Sequence, residues 1–250
     1  SARQDVFKED GVTPADPFDF GAGHVDPNKA VDPGLVYDAD QFDYLAASCG
    51  TVSPLITPDD CSLLEAAGFS LDPADLNLPS IGVGELPGSK TIKRKVTNVA
   101  KRGSGLYAVS VEAPDGFTVQ VSPDRLFLHP GQTAEYEVTI TNETAPAGEW
   151  RFGSLTWTEV RKGYKVRSPI AVNAVAISAP DSVAGTGSKG TAQFDVTFGY
   201  TGAYTAQVHG LNNALIGRAS VATGGYAQFA FLIPDNFALA RFELFDEYTS

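Results

Sequence analysis

Over residues 105–172 apolar side chains recur at every second position, and this period constrains the chain more than any other feature. Tyr107, Val109 and Val111 alternate with Ala108 and Ser110, and Leu155 and Trp157 alternate with Thr156 and Thr158. Ala134, Tyr136, Val138 and Ile140 alternate with Glu135, Glu137 and Thr139. Tyr164, Val166, Ile170 and Val172 share a face, with Lys165 and Arg167 opposite. Successive side chains of a strand point to opposite faces, so a period of two collects the apolar groups on one side. One face buried and one face wet is the mark of an antiparallel sheet.

Between these runs lie "APDG", "HPGQ" and "RKG", turns in which Pro or Gly supplies the backbone angles. From residue 75 to 176 the spacing predicts about seven short strands and no helix, which points to a β-sandwich of immunoglobulin or fibronectin type. Pro169 falls inside the last run and predicts an edge strand or a bulge there. The stretch "SAPDSVAGTGSKG", residues 178–190, reads as a linker. Alternation then resumes at Ala192, Phe194, Val196 and Phe198, at Ala227, Phe229, Phe231 and Ile233, and at Ala238, Ala240, Phe242 and Leu244. Residues 177–250 are therefore expected to form a second β-unit, cut short because the chain stops at "FELFDEYTS" just after a strand.

Residues 1–74 have a different texture, rich in Pro, Asp and Gly, with Asp-Pro at 16–17, 26–27 and 32–33, and most of residues 16–38 reads as turns. Two helices are expected. One begins at Asp38 or Asp40 and stops at Gly50; the other is capped by Thr57, has Pro58 in its first turn and ends at Gly68. The expected fold class is thus mainly β. It comprises an irregular, short-helix segment over 1–74, a sandwich over 75–176 and a truncated accessory β-unit over 177–250. The first segment is expected to pack poorly by itself and to complete the surface of a neighbour.

The formal net charge is −12, so phosphate backbones repel this surface and no nucleic-acid partner is expected. No apolar run approaches the roughly 18 residues that span a bilayer. The chain begins with Ser and contains no Met, as a processed product or an excised fragment would.

Three histidines are available for chemistry, His24, His129 and His209. A catalytic imidazole needs a nucleophile and an orienting carboxylate. No GxSxG elbow, HExxH, phosphate loop or calcium-loop spacing occurs. His209-Gly210 falls in a strand pattern, and "GTGS" at 185–188 lies in the linker. His24, beside Gly21 and Gly23, reads as a capping or packing residue. Asp38, Asp40 and Asp43 read as helix caps and solvated surface in preference to a calcium site. Lys90, Lys93, Arg94, Lys95, Lys101 and Arg102 form a basic stretch. It reads as the solvated face of an edge strand, with an acidic partner face as the alternative. Asn142-Glu143-Thr144 fits a glycosylation sequon. Cys49 and Cys61 could hold a metal, form a disulfide or be two buried thiols. A disulfide is preferred because no CxxC or HxxxH stands nearby, and it implies an oxidising compartment.

One family matches many of these stretches in order. "PFDFGAGHVDPNKAVDPGLVYD" (17–38) closely resembles the end of the peptidase domain in large subtilisin-like serine proteases (subtilases, peptidase family S8). "DLNLPSIGV" (75–83), "KRKVTNVA" (93–100), "VEAPDGFTVQVSPDRLFL" (111–128) and "FGSLTW" (152–157) resemble that family's fibronectin-III-like domain. Cys49 and Cys61 fall where the family has a disulfide. The resemblance implies a secreted endopeptidase as the parent and this chain as its non-catalytic C-terminal part. The family's catalytic Asp, His and Ser and its oxyanion Asn precede Ser1, so no catalytic residue carries over. It implies a structural joint at Gly21, Gly23 and His24, since the family's "GAGHV" histidine is not a triad member. The partners it implies are the parent's catalytic domain and, through it, protein or peptide substrates. No cofactor or metal is expected in this chain, and calcium in the parent is left open. The rival reading is an independent carbohydrate- or surface-binding β-module in residues 177–250, which exposed Tyr200, Tyr204 and Tyr226 in a line would favour.

Overall fold

The computed structural model describes residues 2–3, 5–51, 54–180, 183, 191, 193–206, 228 and 230. The chain divides into two compact units, Ser1–Thr201 and Gly202–Ser250. All elements named below lie in the first. Of the second, residues 202–206, 228 and 230 are described, and Tyr204 is exposed. The strands expected beyond residue 206 and His209 lie outside the described residues.

Each Asp-Pro pair in the first segment sets the chain direction. Asp16 caps α1 (Pro17–Phe20) and Asp26 caps α2 (Pro27–Ala30), each with Pro in the first turn. The Asp side chain satisfies orphan N–H groups while Pro pre-sets the helical φ, so these four-residue segments are short helices where the sequence suggested turns. β1 (Ala2–Arg3) pairs with β2 (His24–Val25). The third Asp-Pro leads into β3 (Leu35–Val36). Then α3 (Gln41–Cys49) starts at an Asp40 cap with Asp43 closing the box, and α4 (Pro58–Ala66) starts at a Thr57 cap. A 3-10 turn at Pro73–Asp75 follows.

The sandwich is built from β4 (Ile81–Leu86), β5 (Ser89–Asn98), β6 (Gly105–Glu112), β7 (Phe117–Ser122), β8 (Arg125–Leu128), β9 (Thr133–Asn142), β10 (Trp150–Glu159) and β11 (Lys165–Ala174). One sheet has the order β4-β11-β10-β6-β8 and the other β3-β5-β9-β7. All pairs are antiparallel except β4 with β11. β12 (Ile177–Ser178) and β13 (Thr197–Phe198) form a separate two-stranded pair.

The inner faces meet in one core. Trp157, Tyr107 and Tyr136 are its largest fully buried side chains, with Ile92, Val96, Val138, Ile140, Leu155, Ile170 and Val172 around them. All of these but Ile92 and Val96 are positions that the alternation selected. Burying each large apolar side chain contributes about 1.5–3 kcal/mol, so the period-two pattern supplies most of the driving force. Val109, Val111, Ala134, Tyr164 and Val166 pack against this core half-buried.

Pro169 corrects one expectation. It lies in β11, which is flanked by β10 and β4 rather than placed at an edge. The parallel ladder with β4 begins only at Ile170, so the strand is an edge locally at Pro169, and the register shift comes later, between Val172 and Ala174.

Candidate functional site

Of the three histidines, the residues suited to acyl-transfer chemistry, His24 and His129 lie among the described residues. His24 is exposed in β2 and follows Gly21 (φ 58°) and Gly23 (φ 122°), whose positive φ values favour glycine. With Val6, Phe7, Ala15, Asp19, Phe20, Gly23 and Val25 it lines an open concavity of about 450 Å³. Among the described residues no hydroxyl or thiol side chain belongs to that lining, which offers an imidazole and a carboxylate. The His129 Nδ1 lies 2.9 Å from the Ser104 Oγ. Its other neighbours are Gln132, whose Oε1 accepts from the His129 backbone N–H, and the ring of Phe127 edge-on at 5.1 Å. The pair thus has a hydroxyl and an imidazole but no bonded carboxylate to orient the ring, the third part a triad uses.

Asp38, Asp40 and Asp43 line a depression of about 240 Å³ with Asn77, Lys95, Thr97 and Thr133. The Asp40 carboxylate accepts from the N–H groups of Phe42 and Asp43, and Asp43 accepts from the Asp40 N–H at 2.8 Å. Helix capping accounts for both. Among the described residues no group of three or more His, Cys, Asp and Glu is placed to hold a metal ion.

The most developed polar constellation is one that sequence reasoning passed over. It knits residues 32–38 and 72–80 to the sandwich. Tyr37 Oη lies 2.9 Å from Tyr136 Oη and 2.8 Å from Ser168 Oγ, with the Tyr136 ring edge-on to Trp157. Burial pushes the phenols of Tyr37 and Tyr136 above their usual range. The Asp32 carboxylate accepts from the Lys101 N–H at 3.1 Å and the Tyr164 hydroxyl at 2.7 Å, and these bonds hold it below the usual carboxylate range. Gly34 (φ 85°) passes so close to Tyr164 that an added Cβ would lie 2.9 Å from the tyrosine Cβ.

Farther along, Asn77 donates to the carbonyls of Asp38 and Lys95 and accepts from the Lys95 N–H. Arg94, 2% exposed, donates to the carbonyls of Ala74, Leu78, Ser80 and Lys93. Only a guanidinium has enough fixed N–H groups to satisfy so many acceptors at once. Burial lowers its pKa from the ordinary value.

This arrangement also explains the basic stretch. β5 pairs with β3 only at Thr97 and Asn98, so its earlier residues form an edge. The N–H groups of Lys93 and Lys95 are taken by the side chains of Asp75 and Asn77, which covers that edge. Lys90 pairs with Asp72 at 2.6 Å and Lys95 with Glu135 at 3.1 Å. Lys90, Arg94 and Lys95 are thereby engaged inside the chain.

Two further contacts hold the first segment. Phe18 of α1 packs edge-on against Trp150 and Phe152, with ring centres 4.9 and 5.2 Å apart. Cys49 and Cys61 are joined by a disulfide that links the end of α3 to α4. Tyr200 and Tyr204 are exposed, and Tyr226 lies outside the described residues.

With this geometry in place, the comparisons with known proteins are specific. Residues 75–172 match the family described as "Fibronectin type-III domain". The chain is 40% identical over 179 residues to the CO(2)-response secreted protease of Arabidopsis thaliana, covering 67% of this chain and 23% of that protein. It is 37% identical over 159 residues to the subtilisin-like protease SBT2.5 of the same plant, covering 62% of this chain and 19% of the relative. To the subtilisin-like protease SBT3 of Solanum lycopersicum it is 36% identical over 186 residues, 70% of this chain and 24% of that protein. The chain therefore spans less than a quarter of the length of these curated relatives. Over about two thirds of its length the chain is thus similar to subtilisin-like proteases, and within that stretch residues 75–172 match the fibronectin type-III domain family.

Proposed function

We propose that this chain is a non-catalytic portion of a secreted subtilisin-like serine endopeptidase, in which its β-structure supports the stability, assembly or substrate access of the catalytic domain. The observation that carries this reading is the run of 159–186 residues shared with proteases of which the chain spans under a quarter. The knitting of residues 32–38 and 72–80 into the sandwich supports it. A sandwich bonded to the segment before it is suited to hold that segment, and whatever precedes it, in one orientation. The division into 1–74, 75–176 and 177–250, the absence of a catalytic triad from this chain, the structural role of Gly21, Gly23 and His24, the lack of a cofactor and an extracellular location belong to the same proposal. No helix among the described residues is long and apolar enough to cross a membrane.

The test is direct. Purified chain incubated with casein and with a fluorophosphonate probe is expected to show neither turnover nor a labelled serine. Labelling that disappears on His24→Ala or His129→Ala would overturn the reading.

A further inference from the structure

The outer faces of the two sheets differ in charge arrangement. On the β5-β9-β7 face, hydroxyl pairs join Thr91 to Thr139 and Thr97 to Thr133, and Lys95 pairs with Glu135. Lys93 lies opposite Glu137 in the same ladder. Charge on that face is balanced by its own neighbours.

The β8-β6-β10-β11 face is built otherwise. Its ladders align Arg125, Ala108, Thr158 and Lys165 in one row across four strands. The next row places Ser110, Thr156 and Arg167 side by side. On the other flank Phe127 pairs with Leu106, whose carbonyl accepts from the Val160 N–H, which gives an apolar row. Phe127 is 59% exposed and Val160 60% exposed. The face is small-residued at its centre and apolar along one row, with Arg125 and Lys165 at its margins, Glu112 on the same side of β6 as Ala108 and Ser110, and Arg161 just past β10.

Among the described residues, Arg125, Arg161, Lys165 and Arg167 form no ion pair. The Glu159 carboxylate in this neighbourhood is occupied by the N–H groups of Arg161 and Lys162. Glu112, whose charge acts on Arg167, accepts from Ser154. Arg167 Nη1 is buried and has no hydrogen-bond partner among the described residues. Glu112 offsets Arg167, and Arg125 and Lys165 leave the face net positive in a chain of net charge −12, a local inversion of sign.

We propose that this face is a docking surface for an acidic, apolar-rich peptide segment of a protein partner. Carboxylates of the segment pair with the exposed Arg125 and Lys165, and its aliphatic side chains lie on Phe127, Leu106 and Val160. Charge complementarity selects an acidic occupant, and the exposed apolar row selects a peptide over an acidic polysaccharide, which has no aliphatic side chains to place there. The strand spacing sets Arg125 and Lys165 roughly 14 Å apart across three ladder steps, a span that a short peptide covers. The inference stands on this face alone and does not depend on the protease reading.

The test uses the full chain and a labelled peptide of glutamate and leucine, read by fluorescence anisotropy. Binding is expected, weakening as salt rises. Arg125→Glu and Lys165→Glu, at opposite margins of the face, are each expected to weaken it about tenfold, as is Phe127→Ser, while Lys93→Glu on the other sheet leaves it unchanged. Both charge variants replace exposed side chains, and thermal melts would verify that they fold. A lysine-leucine peptide is expected not to bind. Absence of binding by the glutamate-leucine peptide, equal loss in Lys93→Glu, or equal binding of polygalacturonate would overturn the proposal.

Discussion

Arg94 shows how much a single residue can organise without any carboxylate partner. Its charge is buried, and the carbonyls of Ala74, Leu78, Ser80 and Lys93 disperse it. Arg94→Met would fill a similar volume yet strand those acceptors. Unpaired buried acceptors cost about 1–3 kcal/mol apiece, so the variant is expected to lose about 3 kcal/mol after partial rehydration, measured by urea denaturation. An unchanged midpoint would mean that water replaces the guanidinium without penalty. In the sequence Arg94 was one cation in a basic run, and nothing local distinguished it from Lys93 or Lys95. Its role arises from residues 74–80 folding back over β5, a contact that alternation along one strand does not encode.

Among elements, the helices and strands were legible for different reasons. Asp40 and Thr57 start α3 and α4 because their side chains satisfy N–H groups within three residues, a wholly local bond. Strand positions followed from the period of two, since a strand's two faces see different solvents. The pairing order was not legible. β3 is two residues long, too short to show a period, and joins the second sheet because Leu35 and Val36 meet Asn98 and Thr97. The disulfide belongs to this scale. Closing the loop over a separation of 12 residues is expected to contribute about 3 kcal/mol by the chain-entropy estimate. Cys49→Ser with Cys61→Ser should therefore speed hydrogen exchange in α3 and α4 and leave β6, β9 and β10 protected. Equal loss of protection in the sandwich strands would show that the helices and the core unfold as one unit.

For the molecule as a whole, the chief consequence is that the first 74 residues are not a free appendage. Leu35 is 3% exposed in the core, and Tyr37 bonds Tyr136 and Ser168 from the opposed sheets. A fragment of residues 75–176 is accordingly expected to be less stable than one of residues 32–176, with a lower melting temperature and a broader transition. Equal melting temperatures would show that the suture contributes nothing to the sandwich. The amino-acid sequence by itself determined the sandwich class, the inward set of Tyr107, Tyr136, Val138, Leu155, Trp157 and Ile170, and the helix starts. All of these follow from short-range chemistry and from the partition of apolar groups away from water. Tertiary structure alone decided that Asp32, Tyr37, Asn77 and Arg94 act together, and that Arg125, Lys165 and Arg167 share one face. Those groups are far apart along the chain and become neighbours only when strand order and register are set by the packing of the two sheets.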